Sequence, residues 1–180
     1  MKTNVKKLVT SGLMLALCLV LPFLTGQVPK FGNMLCPMHL PVLLCGFLCG
    51  PWWALAVGII APPLRYVLFH MPPIFPTGLA MCFELAAYGV VTGLLYRALP
   101  KKPGYLYVSL IAAMLAGRFV WGGVMAALMG LGRASFGWAI FVTNGFVNAI
   151  PAIILQLILI PVLVLALKRA RLMPDAEHSA

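Results

Sequence analysis

Glu84 in AMCFELAAYG and Arg118 in LAGRFVWGG are each the only charged residue of a long apolar run. A guanidinium near the centre of a membrane helix costs about 2.5–3.5 kcal/mol on insertion scales unless a partner or water compensates it. The chemistry open to such groups is electrostatic. They can neutralise each other across a helix interface, or hold a polar ligand directly or through their pair. Asn144 and Asn148 in FVTNGFVNAIP are four apart and share one helix face. Amides so placed either bridge helices or face a ligand. His39 opens another apolar stretch, and Trp121 and Tyr88 complete the candidate substrate-binding set of Glu84, Arg118, Asn144, Asn148, His39, Trp121 and Tyr88.

Covalent chemistry fits poorly. The apolar runs hold no Ser-His arrangement, no His-Glu-x-x-His and no G-x-x-x-x-G-K-[ST] phosphate loop, so neither an enzyme nor a self-contained ATPase is expected. The five cysteines (18, 36, 45, 49 and 82) lie in or beside apolar runs and read as packing residues. No metal and no cofactor is expected.

The elements that must position these residues follow from composition. The chain has 180 residues, 63% of them hydrophobic and 9% charged, with a mean hydropathy of +1.04. That leaves too little polar surface for a water-soluble globule and several runs long enough to cross a bilayer. The expected fold is an all-α integral membrane protein, a single bundle of six transmembrane helices. The expected spans run from about Leu8 to Gly26, His39 to Gly50 (a short one), Pro51 to Phe69, Gly78 to Leu95, Tyr105 to Leu131 and Trp138 to Leu167. Pro62 and Pro63 should bend or break the far end of the third span, and Pro151 and Pro161 should kink the last. Residues 1–7 read as a cytoplasmic N-terminus, 8–170 as the substrate-binding domain and 171–180 as a cytoplasmic tail.

The net charge of +10 is spread over short clusters at the ends of apolar runs, which is a topology signal rather than a nucleic-acid surface. In a six-span arrangement Lys2, Lys6, Lys7, Arg97, Lys101, Lys102, Lys168, Arg169 and Arg171 fall on one side, and Lys30, Arg65 and Arg133 on the other. The bias places both termini in the cytoplasm. At about 1.5 Å per residue, Arg118 then lies about 20 Å in from the cytoplasmic side and Glu84 about 9 Å below the outer surface. Asn144 and Asn148 fall about 9 to 15 Å deep on the same scale, with His39 at the outer end of its span. A polar constellation is expected in the outer half, above a cytoplasmic half that is apolar apart from Gln156. The connections QVPKFGNMLCP and HMPPIFPT both emerge outside, and with hinges at Gly32 and Gly78 they are expected to cover the constellation as a lid.

Small residues recur at four-residue spacing: Gly12 and Ala16, Gly46 and Gly50, Gly89 and Gly93, Ala113 and Gly117, Ala126 and Gly130. Such pairs permit close helix approach. The first span is the best candidate for contact with another subunit.

PMHLPVLLCGFLCGP, GIIAPP, MPPIFPT, FELAAYGVVTGLLY and AGRFVWG, in this order over roughly residues 5–170, resemble the substrate-binding S component of energy-coupling factor (ECF) vitamin transporters. The resemblance implies a small membrane protein that captures a vitamin or related nutrient from outside. It further implies association with a transmembrane coupling subunit and two cytoplasmic ATPases. Family members dock on the coupling subunit through an Ala-x-x-x-Ala motif of the first helix, and here Gly12 and Ala16 occupy the matching places. The substrate stays open among pantothenate, niacin, a pyrimidine or pyridine precursor, folate and a queuosine-like base. The rival reading is a self-sufficient, ion-coupled small transporter or channel built on Glu84 and Arg118.

Overall fold

A computed structural model describes residues 2–24, 36–100, 102–131 and 137–170. Among the described residues six helices make up the bundle: α1 (Lys2–Leu24), α2 (His39–Cys49), α3 (Pro51–Phe69), α4 (Leu79–Ala98), α5 (Pro103–Leu131) and α6 (Trp138–Arg169). Five are long and apolar enough to cross a membrane, and α2 is the short one. No strand occurs among the described residues. Lys30, Gly32, Lys101, Arg133, Arg171 and most of the 27–37 connection lie outside the described residues.

The short helix organises the rest. At about 1.5 Å per residue α2 covers roughly half of a ~30 Å hydrocarbon core, and all of its residues are buried. A helix that is apolar on every side belongs inside, and α1, α3, α4 and α6 pack around it. Its end is fixed by Gly50, whose φ of 94° suits glycine. Pro51 then begins α3 at a position where the missing N–H is harmless. The Cys49 thiol donates to the Lys7 carbonyl (3.7 Å) at this end, and the Cys18 thiol donates to the Met38 carbonyl (3.6 Å) at the other. The Arg97 guanidinium also packs on Gly50. So α2 runs antiparallel to α1 and fills the half of the bundle that carries Lys7 and Arg97, here called the basic end.

At the far end stands Arg65. It is buried on α3, donates from Nη1 to the Leu19 carbonyl of α1 (3.1 Å), and lies over the rings of Phe23 and Phe69 (5.8 Å to each centroid). Aromatic faces and a backbone oxygen satisfy the cation there. The expected break at Pro62 and Pro63 does not occur, since α3 continues through both to Phe69. Neighbouring helices can hold such a helix together in a membrane despite the missing N–H groups.

The irregularity of α6 falls in the turn just before Pro151, where a proline removes an N–H and crowds the carbonyl four residues back. Its α-helical pieces Trp138–Val142 and Ile150–Arg169 are joined by a π-helical turn, Thr143–Val147, closed by Asn148 N–H to the Thr143 carbonyl (2.8 Å). Pro151 lies in the first turn of the second piece, where proline is tolerated, and Pro161 lies inside it.

Backbone contact sets the spacing of α3 and α4. A Cβ on Gly89 would stand 2.8 Å from the Ala54 carbonyl carbon and 2.9 Å from its oxygen, and backbone cannot give way as a flexible side chain can. A methyl group on Gly12 of α1, by contrast, would meet nothing within 4 Å. Gly89→Val should therefore lower the thermal midpoint by the equivalent of about 1–3 kcal/mol or more, as overpacking does, while Gly12→Ala leaves it within error. Thermal unfolding in mild detergent checks the contrast, and equal behaviour of the two variants would contradict it.

Candidate functional site

Three helices deliver charge to one point. Glu84 and Tyr88 lie one turn apart on a buried face of α4, Arg118 projects from α5, and His39 is the first residue of α2. Glu84 Oε1 stands 3.0 Å from Arg118 Nη1 and 3.3 Å from His39 Nε2. The glutamate and histidine are each 2% exposed and the arginine 7%. Neither contact is aligned as a directional hydrogen bond, so proximity of charge rather than orientation holds the carboxylate. The Tyr88 phenol lies beside the Glu84 carboxylate, and its ring meets His39 edge to face at 5.1 Å.

The sequence around Arg118 serves this packing. A Cβ on Gly117 would come within 3.0 Å of the Tyr88 ring, so the glycine admits the ring while its neighbour supplies the cation. The outer edge of the guanidinium, Nη2, faces Cys36 Sγ at 4.0 Å. Cys36 was not among the residues expected here; the only sign of it in the sequence is its place one turn before His39. The guanidinium against the carboxylate means that this oxygen already faces a cation. No group of three or more His, Cys, Asp or Glu side chains suited to a metal occurs among the described residues.

The remaining expected residues stand elsewhere. Asn144 and Asn148 are exposed and bonded to each other, Asn148 Nδ2 to Asn144 Oδ1 at 3.0 Å. Trp121, half-buried, stacks near Phe141 (6.4 Å between centroids), which is also contacted by Phe119, Trp138 and Phe146. This aromatic group borders a cavity of about 260 Å³ between α5 and the start of α6, with Gly122, Gly123 and Ala126 along its α5 wall. Gly12 and Ala16 are exposed on α1.

A family model described as the substrate-specific component of ECF transporters matches residues 6–164. The match covers most of the chain, which therefore belongs to this family: it is a multi-pass cell-membrane protein and a substrate-specific subunit of an ECF transporter. S components of this kind bind small substrates and work with a coupling subunit and ATPases. Comparison with curated proteins and with solved structures gives no significant match.

The ion pair makes its own prediction about stability. Glu84→Leu or Arg118→Met alone leaves a buried charge unpaired and should cost about 3–5 kcal/mol, whereas the double variant should recover most of that loss. Denaturation of the four proteins in one detergent measures the coupling. Strictly additive losses would mean that the two side chains do not act as a pair.

Proposed function

We propose that this subunit captures a vitamin or related small nutrient in an outward-facing pocket whose floor is formed by Glu84, His39, Arg118 and Tyr88. The carrying observation is the level at which those groups meet. They gather where α2 begins, above the apolar packing that closes the bundle on the basic side. The basic clusters at the ends of α1, α4 and α6 orient the opposite half away from the cytoplasm. Intramembrane ionisable groups in such a position mark a substrate pathway.

Energy has to come from a separate motor, a coupling subunit with two cytoplasmic ATPases. The face of α1 supports that arrangement: Val5, Leu8, Val9 and Leu13 are all more than half exposed around Gly12 and Ala16. A small-residue stripe bordered by unburied aliphatic side chains is suited to the close approach of a foreign helix.

Two readouts test the proposal together. A tagged form of the chain should co-purify with an ATPase-containing complex. Replacing Gly12 and Ala16 with leucine should leave substrate binding unchanged and abolish uptake by the reconstituted complex. Uptake that persists moves the docking face elsewhere. A chain that purifies as a homo-oligomer without ATPases and transports alone contradicts the proposal.

A further inference from the structure

Gln156 is the buried polar residue that the pocket described above does not use. It lies on the inward stripe of α6 with Ala152, Ile160 and Val164, it is 1% exposed, and its amide oxygen has no hydrogen-bond partner among the described residues. Helix rise places it at the height of the ion pair. At about 1.5 Å per residue, Gln156 stands about 18 Å above Lys168, His39 about 16 Å above Gly50 and Glu84 about 20 Å above Arg97. Gly50 and Arg97 touch, and α6 packs on both α2 and α5. Taking the basic ends of α2, α4 and α6 as one level, we place the amide at the height of Glu84 and His39.

His39 carries a similar unpartnered atom. Its Nε2 is 3.3 Å from Glu84 Oε1, and its Nδ1 is buried without a hydrogen-bond partner among the described residues. A buried amide oxygen and a buried ring nitrogen without partners are a standing cost to the fold, the kind of feature that calls for a ligand or a strain-bearing role. Arg118 supplies the complementary group, because its Nη2 faces the Cys36 thiol, a weak acceptor, at 4.0 Å.

The charges narrow the ligand. Glu84 and Arg118 cancel each other at 3.0 Å. An incoming carboxylate would have to take the guanidinium from Glu84 or leave a net negative charge in a desolvated site. Resting on the substrate-binding reading above, we propose that Gln156 belongs to the same site and that its ligand is an uncharged small molecule with an amide- or lactam-type edge. The ligand's carbonyl accepts from Arg118 Nη2 in place of the thiol, its N–H donates to the Gln156 amide oxygen, and its polar edge meets the unpartnered Nδ1 of His39.

The test uses the full-length protein in mild detergent, with Gln156→Leu and the equally long Gln156→Met beside the wild type. Thermal midpoints are read with and without three matched probe pairs: nicotinamide and nicotinate, uracil and orotate, benzamide and benzoate. Without probe, at least one variant should be as stable as the wild type or more so, since removing a partnerless amide removes its cost. At least one neutral probe should stabilise the wild type, its acid counterpart should not, and the affinity for the neutral probe should fall at least tenfold in both variants. Lower stability of both unliganded variants would give Gln156 a structural partner and overturn the proposal. So would stabilisation by the acids in preference to the amides, or by none of the neutral probes. Co-purification of the wild type with ATPases is scored separately, so loss of the ligand class leaves the transporter-subunit reading standing.

Discussion

One carboxylate oxygen in a low-dielectric interior constrains the whole bundle. Glu84 Oε1 is within ion-pair distance of both Arg118 and His39, which belong to different helices. Separating any of these groups would strand a charge or a polar group where water cannot reach it, so α2, α4 and α5 have to meet at one level. That requirement explains features that look unrelated in the chain. Gly117 is small because Tyr88 has to lie against it, and the first helical residue of α2 is a histidine because the helix starts beside the carboxylate.

The half-length of α2 turns this electrostatic knot into a division of labour. On the basic side, α2 fills the bundle with apolar side chains, while α3 and α4 approach each other backbone to backbone at Gly89. Such packing has two sides with no slack and resists gradual deformation. The ion cluster lies where α2 begins, and the aromatic group around Phe141 lies between α5 and the start of α6.

Much of this was legible in the sequence, because length, hydropathy and the rise of a helix are one-dimensional quantities. The runs around Glu84 and Arg118 each contain one charge, and their matching depths follow from counting residues inward from opposite ends. The short second helix and the glycine pair at 89 and 93 were equally open to reading. What counting could not supply is rotation and the length of irregular pieces. The π-helical turn at Thr143–Val147 changes the facing of α6, so Asn144 and Asn148 bond to each other on an exposed surface. The same helix is long, Trp138–Arg169, so counting from its outer end and counting from Lys168 give Gln156 different depths. Arg65 was legible as a charge at the outer side of the third span, but nothing in its local sequence announces the ring of Phe23 on another helix.

The central claim is that the buried guanidinium serves a ligand as well as the fold. It is tested most directly by releasing and weighing the small molecules that co-purify with the protein from mild detergent, in the wild type and in Arg118→Lys, which keeps the charge and loses the fork. The account predicts a defined small polar species bound to the wild type, and at least a tenfold lower occupancy in an Arg118→Lys protein that still elutes as a folded monomer. Equal recovery of that species from both proteins would contradict it and leave Arg118 to the Glu84 pair alone.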